Sequence, residues 1–173
     1  MSRIYSTIDP DLGVAPSHGG AGTRLLVVED NPDDQELLRR QLRKAAIHEQ
    51  ILFVRDGGKA IDILIKDELH IRENLFAVFL DLHLKGLSGI DVLRAIRSEP
   101  ALVKLPVVIL TSSQDPKDIT ECRRLRATTY LTKPISFQVF YGAIANLFHL
   151  PDRPHRPDAI DPFLIGPDPF PEE

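Results

Sequence analysis

Five short, mostly apolar runs alternate along the chain with segments in which apolar residues recur every three or four positions. The runs lie within Arg24–Val28, Ile51–Val54, Phe76–Asp81, Pro106–Thr111 and Thr128–Thr132. Nearly unbroken apolar runs of this length predict strands that are buried on both faces, as in a parallel sheet covered by helices. The intervening segments predict amphipathic helices, because their apolar residues share one helical face.

The helical stripes are clearest in the first and last of these segments. Leu38, Leu42 and Ala45 follow one another at i, i+4 and i+7, and a helix after the fifth strand carries Phe137, Phe140, Ile144 and Phe148. Strand and helix alternate five times with short connections, and right-handed crossovers turn such an order into a doubly wound fold. We therefore predict an α/β (βα)5 sandwich with a central five-stranded parallel sheet.

The composition divides the chain into three parts. Residues 1–23 are rich in Gly, Ser, Pro and Asp without periodicity and are expected to be a flexible leader. Residues 24–150 form the predicted globular domain. Half of the fourteen prolines fall between Pro151 and Pro171, so residues 151–173 cannot be regular helix or strand. Because this tail also carries apolar residues such as Ile160 and Phe163, we expect it to be an arm that reaches across a homodimer built on the last helix.

Charge and cysteine content narrow the class of protein. The chain has 173 residues, 43% of them apolar, and a net charge of −4. This acidic balance argues against nucleic acid as a partner. A single cysteine, Cys122, excludes an internal disulfide and is expected to be a buried core residue. No apolar run approaches the roughly 20 residues of a membrane span, so a cytoplasmic protein without a membrane partner is expected.

Polar residues stand where four of the predicted strands end. Glu29 and Asp30 follow the first, Asp81 the third, Thr111 ends the fourth and Lys133 follows the fifth. In a parallel sheet these ends meet at one edge, where α/β proteins place their ligands. Three carboxylates there would repel one another without a cation, and hard oxygen ligands suit Mg²⁺. A lysine and a hydroxyl opposite them would hold phosphoryl oxygens.

Four stretches carry a resemblance to the response-regulator receiver domain, which is CheY-like and flavodoxin-like in fold. They are Leu-Val-Val-Glu29-Asp30-Asn, Phe-Leu-Asp81-Leu, Val-Ile-Leu-Thr111-Ser-Ser and Tyr130-Leu-Thr-Lys133-Pro134. The resemblance covers residues 24–150. Each motif is weak alone, but all four in this order are specific.

This resemblance implies a phosphoryl-transfer site. Asp81 would be the carboxylate phosphorylated by a histidine kinase, and Lys133 its phosphoryl partner. Asp81 would also bind Mg²⁺ together with Glu29, Asp30 and the backbone carbonyl of His83.

The same resemblance implies a switch next to that site. Thr111 would be the hydroxyl that responds to phosphorylation, and Tyr130 the aromatic residue that changes rotamer. The Lys133–Pro134 peptide looks like the cis peptide of the family.

Within receivers, the chain is most similar to single-domain response regulators paired with cyanobacterial and bacterial phytochromes. The features are Val-Glu-Asp-Asn-Pro-Asp-Asp, the polar segment Lys66–Asn74 and Lys-Pro-Ile-Ser-Phe-Gln-Val-Phe. They imply a phytochrome-type sensor histidine kinase as partner, and they support dimerisation. Two positions depart from the receiver pattern: Lys85 replaces a usual proline and is expected to loosen its loop, and Arg126 replaces a usual glycine. Arg126 is expected to lie in unstrained backbone.

The sequence thus predicts a single-domain response regulator of a two-component phosphorelay. It would accept a phosphoryl group on Asp81 and switch partner binding or dimerisation, taking part in its own phosphotransfer and dephosphorylation without being an enzyme for a separate substrate. One alternative is a receiver-like interaction module that never takes phosphate. Another is a flavodoxin-like cofactor binder, which the acidic Glu29-Asp30-Asn31-Pro32 turn disfavours because it would repel phosphate.

Overall fold

The computed structural model describes residues 13–14, 24–48, 50–66 and 71–150. The strands in this part of the chain are β1 (Gly13–Val14), β2 (Leu25–Val28), β3 (Ile51–Val54), β4 (Ala77–Leu80), β5 (Val107–Thr111) and β6 (Thr129–Thr132). The helices are α1 (Pro32–Lys44), α2 (Gly57–Ile65), α3 (Gly89–Ser98), α4 (Pro116–Arg124) and α5 (Phe137–Ala145). The six strands form one sheet in the order β1-β3-β2-β4-β5-β6, and the helices pack on it.

Strands β2 to β6 pair in parallel, which confirms the predicted five-stranded doubly wound sheet. Strand β1 adds a sixth, two-residue strand that pairs antiparallel with β3. It lies within residues 1–23, where no strand was expected, because two residues are too few to show an alternating pattern. The remainder of that segment and the predicted arm, residues 151–173, lie outside the described residues.

Two separate hydrophobic clusters cover the two faces of the sheet. Successive strand residues point to opposite faces, so Leu25 and Val27 pack with α1 and α5, whereas Leu26 and Val28 pack with α2 and α3. The predicted apolar stripe of Leu38, Leu42 and Ala45 is buried, as expected. Cys122 is also fully buried, in the cluster that contains Leu26 and Val28. Because helices cover both faces, the strand residues are almost all buried, and the sheet meets the polar loops at the ends of its strands.

Helix starts follow local sequence signals. The Asn31 side chain accepts a hydrogen bond from the Asp33 N–H at 2.8 Å, and Pro32 occupies the first turn of α1. Ser88 and Asp91 form a reciprocal capping box at the start of α3. Phe148 was expected on the last helix but follows its end, where its ring lies 5.0 Å from that of Phe76.

Arg126 does not lie in the unstrained backbone that the sequence analysis expected. Its φ angle is +55°, in the left-handed region that favours glycine. The residue follows the end of α4, and its carbonyl accepts a hydrogen bond from Arg97 at 2.9 Å. The chain therefore keeps the usual left-handed helix ending but carries it on an arginine.

Candidate functional site

The register of the parallel strands places the predicted strand-end residues at the same edge of the sheet. Val28 of β2 lies opposite Leu80 of β4, so the residues that follow them, Glu29 and Asp81, leave the sheet side by side. On the other side Thr111 of β5 pairs with Thr132 of β6, and the next residue is Lys133. The Lys133–Pro134 peptide is cis, as predicted.

Lys133 is the centre of the site. Its ammonium donates hydrogen bonds to Glu29 Oε2 at 2.6 Å, to Asp34 Oδ2 at 2.8 Å and to Asp81 Oδ2 at 3.0 Å. The predicted lysine and two of the predicted acids are thus in direct contact. Asp34 was missed, since its sequence position suggested only a favourable charge in the first turn of α1. The signal that identifies it is that α1 starts at the same sheet edge.

The three predicted metal ligands lie together. Glu29, Asp30 and Asp81 each offer a carboxylate oxygen, and these oxygens lie within 4.8 Å of one another. Glu29 Oε1 accepts from the Asn31 N–H at 3.0 Å, and Asp81 Oδ1 accepts from the His83 N–H at 3.0 Å. Carboxylate oxygens have further lone pairs. An all-oxygen set at this spacing fits a hard divalent cation, whereas a ligand role for the His83 carbonyl stays a prediction.

Burial and hydrogen bonding together set the charge states of Glu29 and Lys133. The Glu29 side chain is buried, which raises its pKa to about 7, although the hydrogen bonds from Lys133 and Asn31 act in the opposite direction. Burial also lowers the pKa of Lys133, but the hydrogen bonds to Asp34, Glu29 and Asp81 outweigh it, and its pKa lies above the usual value. Lys133 therefore carries its charge at neutral pH and balances part of the negative charge around it.

Thr111 and Tyr130 are connected through one residue of the loop after β5. Ser113 donates its backbone N–H to Thr111 Oγ1 at 3.2 Å, and its carbonyl accepts from the Tyr130 hydroxyl at 3.0 Å. The Ser113 hydroxyl donates to Asp118 Oδ2 at 2.5 Å, which ties the same loop to α4. Tyr130 is buried, and burial raises its pKa above the usual value. The Thr111 hydroxyl lies 3.5 Å from Nδ1 of the His83 ring, and the His83 N–H donates to Asp81.

Helix α3 packs closely against the phosphoacceptor candidate. A Cβ placed on Gly89 would lie 2.0 Å from the backbone oxygen of Asp81 and 2.7 Å from Leu82 Cα. Only a glycine fits this position without displacement of the chain. Gly89 is thus part of what positions Asp81, although its role is purely steric.

A cavity of about 380 Å³ adjoins the acids between α1 and the segment that follows β6. Glu29, Asp34, Asp81 and Lys133 form its polar wall, and the remainder is mainly apolar. Leu37 of α1 lines it and is 48% exposed. Leu37 therefore brings an apolar side chain to the solvent-accessible edge of this cavity.

Comparisons with known proteins agree with this geometry. The response regulator receiver domain family matches residues 25–145. Response regulator Rcp1 of Synechocystis sp. is 35% identical over 112 residues, which are 63% of this chain and 75% of that protein.

Solved structures give the same result. The bacteriophytochrome response regulator RtBRR superposes with a TM-score of 0.65 at 34% identity, covering 80% of this chain and 86% of that one. The phosphorylated cyanobacterial phytochrome response regulator RcpA superposes with a TM-score of 0.66 at 30% identity, covering 76% and 100%.

The chain therefore belongs to the response regulator receiver domain family, the phosphoryl-accepting modules of two-component signalling. Among receivers, it is similar to single-domain regulators associated with phytochromes. No helix in the described part of the chain has the length and apolarity needed to cross a bilayer.

Proposed function

We propose that this protein is a single-domain response regulator whose phosphoacceptor is Asp81. The observation that carries the proposal is the contact between Asp81 Oδ2 and the Lys133 ammonium at 3.0 Å, beside two further acids at the carboxyl edge of the sheet. Asp81 is only 6% exposed. Its carboxylate, held by the lysine, is therefore fixed in position for an incoming phosphoryl group.

In the proposed reaction a carboxylate oxygen of Asp81 attacks the phosphorus of a kinase phosphohistidine. The new O–P bond forms as the P–N bond breaks, and the electron pair of that bond returns to the imidazole. Lys133 donates hydrogen bonds to the phosphoryl oxygens, which stabilises the charge on the group during transfer. Hydrolysis of the resulting acyl phosphate restores the Asp81 carboxylate, so the receiver takes part in both steps.

Mg²⁺ is the proposed cofactor, held by Glu29, Asp30, Asp81 and the backbone carbonyl of His83. When bound, it would neutralise charge between the acids and the phosphoryl group. The oxygen-only donor set supports the assignment. A related structure is the Mn²⁺-bound form of response regulator Rcp1, which is 27% identical to this chain with a TM-score of 0.64.

The proposed output starts at Ser113. Its backbone N–H contacts Thr111 and its carbonyl contacts Tyr130, so a movement of the Thr111 hydroxyl toward a phosphoryl group would break or shift both hydrogen bonds. Release of Tyr130 would change the surface formed by α4, β6 and α5. Because these elements are on one edge of the sheet, the change would reach a partner directly.

The proposed partner is a cytoplasmic sensor histidine kinase of the phytochrome type, as the names of the related proteins suggest. We also propose a homodimer built on α5 and reinforced by residues 151–173. Partly exposed apolar side chains on and after this helix, Val139, Leu147 and Phe148 among them, support such an interface. Neither nucleic acid nor a membrane is a proposed partner.

Phosphotransfer tests the acceptor. Purified protein is incubated with acetyl phosphate or a phosphorylated phytochrome-type kinase, and the modified residue is mapped by mass spectrometry. Label is expected on Asp81, with none on Asp81→Asn and normal labelling of Asp33→Asn, an exposed acid in α1. Stable label on another residue would contradict the assignment, and no labelling of the wild type would favour a phosphate-independent interaction module.

Calorimetric titration with Mg²⁺ tests the metal site separately. Asp30→Asn is expected to bind Mg²⁺ at least tenfold more weakly, because one of three acidic ligands is neutralised, whereas Asp33→Asn should bind like the wild type. Equal affinity of Asp30→Asn and the wild type would show that the site is misassigned.

Sedimentation across a concentration series tests the dimer. The full chain is compared with a chain that ends at Leu150. We expect the shorter chain to dimerise more weakly, and equal dimer affinity would show that the arm makes no contribution.

A further inference from the structure

We infer that Asp34 is a positioning residue that holds the Lys133 ammonium in the site while a phosphoryl group is transferred to Asp81. This inference rests on the proposed function and adds a residue to it. Asp34 comes from α1, not from a strand end, and the resemblance to receivers assigns no role to it although it ends the stretch Val-Glu-Asp-Asn-Pro-Asp-Asp.

The first observation is how Lys133 uses its donors. An ammonium has three N–H groups, and three carboxylates contact this one at 2.6, 2.8 and 3.0 Å. These are charge-assisted hydrogen bonds, and the Lys133 side chain is only 19% exposed. Its position is therefore defined by Glu29, Asp34 and Asp81 acting together.

The second observation separates Asp34 from the other two. Glu29 and Asp81 belong to the cluster of acids that fits a divalent cation, whereas Asp34 does not. In the proposed reaction Asp81 would become the acyl phosphate, and Glu29 and Asp30 would hold the cation. Of the three carboxylates that contact Lys133 in the structure, Asp34 alone keeps its oxygens available for the lysine.

The third observation is that Asp34 itself is well fixed. It lies in the first turn of α1, and its backbone N–H donates to the Asn31 side chain at 3.4 Å. A helix amino terminus favours a negative charge. Its side chain is 33% exposed, so it can hold the lysine from the solvent side of the site. Asp34 and Asp81 thus contact the same Lys133 ammonium, at 2.8 and 3.0 Å, from different elements of the fold.

Three variants test the inference. Asp34→Asn keeps the shape and removes the charge, Asp34→Glu keeps the charge, and Asp33→Asn removes a neighbouring exposed charge from the same helical turn. The first readout is the rate of phosphorylation by acetyl phosphate at saturating Mg²⁺. We expect Asp34→Asn to react about 5-fold more slowly, as for the loss of one partly exposed charge-assisted hydrogen bond, and Asp34→Glu to regain most of the rate.

Salt concentration separates positioning from simple charge repulsion. Long-range effects of an exposed carboxylate are screened over about 10 Å at 0.1 M ionic strength. The slower phosphorylation of Asp34→Asn should therefore persist at high salt. A rate of Asp34→Asn equal to that of Asp33→Asn would overturn the inference. So would a faster reaction that returns to the wild-type rate at high salt.

A second readout does not depend on phosphorylation. In protein with ¹⁵N-labelled lysine, hydrogen exchange of the Lys133 ammonium is followed by NMR with and without Mg²⁺. Asp34→Asn should accelerate exchange, and more strongly with Mg²⁺ present. Unchanged exchange in both conditions would refute a positioning role. If wild-type protein takes no phosphate, the proposed function fails while this measurement still decides the Asp34 contact.

Discussion

The steric contact at Gly89 allows a quantitative prediction about the site. In Gly89→Ala, the new methyl group would meet the Asp81 backbone oxygen at 2.0 Å, whereas ordinary contacts begin at 3.4 Å. Helix α3 and the chain after β4 would therefore have to separate by more than an ångström. Both obstructing groups are backbone atoms, which cannot rotate away as a flexible side chain can.

Two opposing effects determine how much Gly89→Ala changes the free energy of unfolding. Overpacking of a buried position typically costs about 1–3 kcal/mol, and a backbone obstruction belongs at the upper end. Replacing a helical glycine by alanine contributes up to about 1 kcal/mol of stabilisation. We expect a net loss of about 2 kcal/mol in the free energy of unfolding. The displaced Asp81 should also bind Mg²⁺ more weakly.

Gly142 in α5 is the matched control. A Cβ there would meet nothing within 4 Å, so Gly142→Ala should stabilise the protein by about 0.5–1 kcal/mol through helix propensity alone. Urea unfolding followed by far-UV circular dichroism measures both variants, and unchanged denaturant slopes would show that the comparison is valid. If Gly89→Ala is as stable as Gly142→Ala, the close approach of α3 to Asp81 is refuted.

Three further predictions concern other parts of the domain. Arg126→Gly should raise the free energy of unfolding by about 1 kcal/mol in urea titrations, since glycine avoids the left-handed strain. The control Thr120→Gly, within α4, should lower the free energy of unfolding, and equal effects of the two substitutions would refute the explanation. Cys122 is buried and its pKa is raised to about 12, so it should stay unmodified by a disulfide reagent at pH 8 until urea unfolds the chain, and rapid labelling of native protein would contradict this. Leu37→Ser should slow phosphotransfer from a kinase several-fold while leaving acetyl phosphate labelling unchanged, and the equally exposed Val103→Ser serves as control; equal slowing with both donors would show that Leu37 acts on the site itself.

The sequence alone determined the architecture and most of the site. Five apolar runs of similar length can be buried only between two layers of helices, so their order predicted the parallel sheet. Because parallel strands end at one edge, the acids after β2 and β4 and the lysine after β6 were expected to meet there. Contacts of Lys133 with Glu29 and Asp81 agree with this reasoning.

Tertiary structure decided what depends on distances between elements. Asp34 looked like an ordinary acid at a helix start, and only the packing of α1 against the segment that follows β6 brings it within 2.8 Å of Lys133. The left-handed backbone at Arg126 was likewise hidden, because an arginine gives no local sign of a conformation that the end of α4 imposes. Strand β1 exists through its partner β3, since two residues cannot specify a strand by pattern. For Asp34 and β1 a long-range contact, rather than a local preference, fixes the outcome.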